Sequence, residues 1–65
     1  MTTREAALVG LRDTLEHLAD VQQQLEWAGE AATTALLTEA MLRDLERCRR
    51  LVEALRRREP ARATA

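Results

Sequence analysis

Four side chains that could bind a metal or move a proton fall within two helical turns of each other: Asp13, Glu16, His17 and Asp20. A divalent ion would use the His17 imidazole with a carboxylate from Asp13 or Asp20. The spacing is not the Glu-x-x-His pair of carboxylate-bridged di-iron bundles, and on a helix these residues project away from the neighbouring leucines. An exposed acidic patch is the better description, one that a basic partner could use. The single cysteine, Cys48, sits between Arg47 and Arg49, which favour a thiolate, but no His or Asn is placed to activate it. Among apolar neighbours a thiol acts as a small hydrophobe. Without a second cysteine for a disulfide or a His and Cys cluster for a structural metal, the sequence offers no catalytic, metal or cofactor set. It reads as a protein that is not an enzyme and needs no cofactor.

The elements that would carry these residues are set by two apolar stripes. Leu8, Leu11, Leu15, Leu18 and Leu25 step by three and four, as do Met41, Leu45, Cys48, Val52 and Leu55. Such spacing places each set on one face of a helix. If the chain folds back at Gly29, the stripes align in antiparallel layers, Leu8 with Val52, Leu11 with Cys48, Leu15 with Leu45 and Leu18 with Met41. The composition supports helices throughout, being rich in Ala, Leu, Arg and Glu and free of Ile, Phe, Tyr, Asn and Lys. The predicted fold class is all-α, an antiparallel helical hairpin dimerising into a four-helix bundle. One helix running straight through Gly29 is the competing architecture.

Local signals place the boundaries of a single domain over 1–65. Thr2 and Glu5 have capping-box spacing, so the first helix should run from about residue 3 to 28. Gly29 is expected to close it in the left-handed conformation, within a turn over about 29–32. Thr33 or Thr34 would cap a second helix over about 33–59, stopped by Pro60, with Arg56, Arg57 and Arg58 against the carbonyl end of its dipole. Residues 60–65 are expected to form a mobile tail. The initiator Met1 followed closely by a cap has the form expected of a natural start.

Flanking residues widen both stripes. Ala7, Thr14, Val21 and Ala28 border the first, while Leu37, Leu42 and Leu51 border the second. Three or four apolar positions in seven exceed the two that a two-stranded seam uses. A short chain without disulfide or metal also needs another way to cover its apolar surface. A homodimer of hairpins is the expected assembly, with a trimer or a foreign helical protein as alternative partners. Gln22 opposite Thr38 would make a polar layer that fixes register, or would simply meet water near the bundle end. Glu39 with Arg43, Glu46 with Arg50 and Glu53 with Arg57 are spaced as i,i+4 pairs on a solvated outer face. Across the hairpin, Glu5 should approach Arg56, and Arg12 should approach Asp44.

Trp27, the only aromatic residue, stands two residues before Gly29. It is expected to cover the turn by packing on Ala31, Ala32 or Leu36; alternatively Val9, Trp27 and Leu36 form a partner-binding patch. The near-zero net charge supplies no single-sign field for nucleic acid or membrane. No apolar run approaches the ~18 residues that span a bilayer, and the N-terminus lacks the order of a signal peptide. A free cysteine points to the cytoplasm, and the all-arginine usage to a GC-rich bacterial gene. The expected function is a protein–protein interaction or oligomerisation module, or a regulatory adaptor. In size and hairpin plan the chain also resembles the Rop family of plasmid RNA-binding proteins, four-helix bundles made from two hairpins. That likeness covers architecture only, and no residue role carries over. It implies an RNA-binding regulator contacting RNA through a first helix that here bears Asp13, Glu16 and Asp20 against Arg4 and Arg12.

Overall fold

The computed structural model describes the backbone of residues 2–63 and the side chains of residues 2–57. Helix α1 spans Thr3–Trp27 and helix α2 spans Ala31–Ala63, packed side by side as a hairpin 53 × 17 × 13 Å. Thr2 starts α1 as a capping box. Its hydroxyl accepts from the Glu5 amide at 3.1 Å, and its own amide donates to Glu5 Oε1 at 3.3 Å. Two otherwise orphaned amides are thereby satisfied at the helix start.

The turn differs from the expected one. Ala28 turns extended, with φ −71° and ψ 120°, while its amide still donates to Leu25 O at 3.2 Å. Gly29 has no positive φ, and a Cβ there would meet nothing within 4 Å. The reversal therefore uses an extended residue and does not need glycine's left-handed freedom. Helix α2 begins at Ala31, ahead of both threonines expected to cap it, with the Glu30 carbonyl accepting the first bond from Thr34 at 3.0 Å. Thr33 and Thr34 lie inside the helix and cap nothing.

Pro60 does not stop α2. Its fixed φ is compatible with a helix, and the helix continues through it to Ala63 although the ring has no amide to bond the carbonyl of residue 56. Residues 60–63 of the expected tail thus belong to α2, which moves Arg56, Arg57 and Arg58 away from its last turn; 64 and 65 lie outside the described residues.

The seam runs along Ala7, Thr14 and Val21, the buried residues among those described. A Cβ on Gly10 would sit 3.5 Å from Leu51 Cδ1, so Leu51 lies directly over the α1 backbone. Arg47 is drawn to Thr14, and Asp44 to His17. This register is shifted by one residue from that placing Leu15 against Leu45. The centre of the hairpin contact consequently falls on the small flanking row of α1.

Both glycines are testable. Gly10→Ala should stabilise the fold by about 0.5–1 kcal/mol, because the new methyl makes an ordinary contact and removes a flexible residue from a helix interior. Gly29→Ala should be neutral or stabilising by up to about 1 kcal/mol. Denaturant unfolding measures both; a loss of stability in Gly29→Ala would mean that the turn requires a left-handed residue.

Candidate interaction surface

The seam separates two unlike faces of the hairpin. At 100° per residue, Gly10 and His17 fall to one side of the Ala7, Thr14, Val21 row, and Leu8, Leu11 and Leu15 to the other. On α2 the row Leu37, Asp44, Leu51 divides Ala40, Arg47 and Ala54 from Met41, Leu45, Cys48 and Val52 in the same way. The contacts between the helices show which sides match.

One face is closed by polar groups. The Thr14 hydroxyl donates to the Gly10 carbonyl at 2.7 Å and accepts from Arg47 Nε at 3.1 Å, so a buried polar atom is satisfied twice. His17 Nδ1 donates to Asp44 Oδ2. Asp44 lies in the seam with 16% of its side chain exposed, and His17 reaches over it with 58% exposed. Asp44 therefore pairs with His17, not with Arg12, because the ring stands on the closed face while Arg12 points away from the seam. Asp13 and Asp20 do not join His17, and among the described residues no group of three or more metal-binding side chains forms.

The opposite face is apolar and open. Leu8 is 42% exposed, Leu15 51%, Leu45 50% and Val52 48%. Between them Leu11, Leu18, Met41, Cys48 and Leu55 are half-buried, as is Leu25 nearer the turn. The expected core is therefore a continuous strip that the hairpin itself covers only in part. Toward the turn the strip becomes polar at Gln22 and Thr38, both exposed. Gln22 donates to Glu26 at 2.6 Å, and Thr38 to the carbonyls of Thr34 and Ala35 at 2.9 and 3.0 Å. Each finds a local partner, and they form no shared layer within one hairpin.

The candidate patch of Val9, Trp27 and Leu36 does not assemble. Val9 stands eighteen residues from Trp27 on one helix, about 27 Å away, and lines a shallow groove with Glu5, Leu8 and Arg12. Trp27 does not cover the turn; it is 86% exposed and rims a groove with Gln23, Gln24, Ala28, Thr33 and Leu37. Leu36 is 67% exposed.

On the outer face of α2, Arg49 is the hub that the pattern of i,i+4 pairs overlooked. It donates to Glu46 at 2.8 and 3.1 Å and to Glu53 at 2.6 Å, while Arg50 stands 4.0 Å from Glu46. Neither Glu39 with Arg43 nor Glu53 with Arg57 pairs among the described residues, since Arg49 already holds Glu53 from the other side. Glu5 serves the cap instead of approaching Arg56.

Charge is also distributed unevenly along the hairpin, which the total conceals. From Asp13 to Leu42 there are six carboxylates and no arginine. All ten arginines lie in 1–12 and 43–65, with five carboxylates. The turn half is acidic and the open half basic. Counting charge by segment, once the fold-back is assumed, would have revealed this.

The Glu46 carboxyl is held below the usual glutamate value, first by its hydrogen bonds from Arg49, which outweigh an opposing desolvation, and further by the Arg49 and Arg50 charges. A carboxyl whose folded value is lowered stabilises the fold above its unfolded value, and that contribution disappears as pH falls through the lowered value. Arg49→Gln should return the Glu46 midpoint toward 4.5, as read by carboxyl NMR titration, with little change in overall stability because the pair is exposed. No protein-family model, no curated protein and no solved structure matches this chain.

Proposed function

We propose that the chain is a homodimeric four-helix-bundle protein that works through protein–protein contact, as an oligomerisation module or regulatory adaptor, and not as an enzyme. The open apolar face carries this reading. The chain exposes 5179 Å², about 1000 Å² more than the ~4200 Å² expected of a compact chain of this mass. That excess is comparable to the ~800 Å² per partner buried in a standard stable interface. Its radius of gyration, 15.4 Å, likewise exceeds the ~11 Å of a compact domain this long. A second copy carries the same face, and a two-fold axis would set the two faces against each other.

An RNA-binding regulator has less behind it. Arg49 is engaged by two carboxylates and Arg47 by Thr14, while α1 exposes Asp13, Glu16 and Asp20. RNA affinity that falls steeply with salt would restore that alternative.

Sedimentation equilibrium should give twice the 7.3 kDa chain mass. Leu15→Glu or Leu45→Glu should weaken the dimer at least a hundredfold, since each change removes a buried leucine from both copies at roughly 1.5–3 kcal/mol each and buries a carboxylate. Cys48 should react with a thiol reagent more slowly as concentration rises. A stable monomer whose unfolding is independent of concentration would overturn the proposal.

A further inference from the structure

We propose that the two hairpins pair with their apolar faces together and their turns at opposite ends, so that the acidic turn half of each lies along the basic open half of the other. This rests on the dimer reading above and adds its orientation. Two symmetric arrangements bring the faces together: turns at the same end, or turns at opposite ends. They are distinguished by what lies beside what.

With turns together, like halves meet. Glu26, bonded to Gln22 at the polar end of the strip, and Glu30 in the turn would lie near the same residues of the other copy, and arginines would lie beside arginines, while Asp20 and Glu39 stand on the far faces. With turns apart, each acidic half meets arginines. Packed helices stand about 8–10 Å apart, close to the Debye length of ~8 Å at physiological ionic strength, so this difference in sign is felt across the interface.

The apolar strip independently fits the same choice. Its leucines are concentrated from Leu8 to Leu18 and its α2 members from Met41 to Leu55, with Leu25 alone nearer a turn end that is polar at Gln22 and Thr38. A two-fold axis crossing the hairpin near Asp13 and Arg47 sets Leu11 opposite Leu15 and Leu8 opposite Leu18. It sets Gln22 at the level of Arg4 and Thr38 at the level of Arg56. Apolar layers then meet apolar layers, and the polar turn end meets the charged open end.

The distance between the two turns reads the orientation. In a Cys48→Ala background, a spin label on Glu30→Cys should lie about 50 Å from its copy if the turns are apart, and under about 20 Å if they are together. Dimer mass is checked on the labelled protein. A separation near 50 Å supports the proposal; one under 20 Å in a dimer overturns the orientation and leaves the dimer standing. A monomeric mass with no dipolar coupling overturns both. In the unlabelled protein the dimer Kd should rise with sodium chloride, because screening weakens attraction between unlike halves. A Kd that falls with salt is the mark of like halves held together and would also overturn the orientation.

Discussion

The narrowness of a two-helix seam governs this molecule. A helix in a bundle core presents an apolar stripe at least ~100° wide, but a single neighbour covers only the middle of that stripe. Here the middle is the row of Ala7, Thr14 and Val21, under Leu51, where small residues on α1 let a large one on α2 lie against the backbone. Among the described residues no large side chain is fully buried. Leucines one position to the side are left with contacts on one flank and water on the other, as Leu8 and Leu15 are. Everything that distinguishes the two faces follows from what the sequence places in those side positions.

On one side it places groups that complete each other. Thr14, Arg47, Asp44 and His17 join the helices through hydrogen bonds at two adjacent layers, and these contacts set the register. Apolar contact alone specifies register loosely, because leucine can slide past leucine at small cost. A buried hydroxyl and a half-buried carboxylate cannot shift without losing partners, and an unsatisfied buried polar group costs about 1–3 kcal/mol. The polar closure therefore holds the geometry of the face behind it, so that four exposed apolar side chains stand in a fixed array. A fixed array is what a symmetric interface needs.

The fold was largely legible because helix periodicity and capping are local. The Thr2 and Glu5 box and the two stripes required only spacing to recognise, and α1 begins where the box puts it. The turn was legible in place but not in mechanism: glycine permits a left-handed backbone without requiring it, and Ala28 solved the reversal in the extended region instead. Pro60 misled because its lost amide bond and the crowding of the carbonyl four residues earlier discourage a helix without forbidding one, and α2 continues through it. The pairing of charged groups was the least legible layer. His17 with Asp44 and Arg49 with Glu53 depend on register and rotamer, where a shift of one residue exchanges one partner for another.

The site raises a different difficulty. Among the described residues no group of three or more metal-binding side chains forms for sequence motifs to announce. What the hairpin has is a surface whose meaning is collective: the leucines matter as a strip, and the charges as two halves of opposite sign. The net charge of −1 erased the second of these, because summation over the chain removes the position along a 53 Å axis that gives the charges their effect. For an elongated molecule the first moment of its charge carries more information than the total. Two copies that are each nearly neutral can still attract or repel according to how they are laid side by side, because each half acts through its own charge.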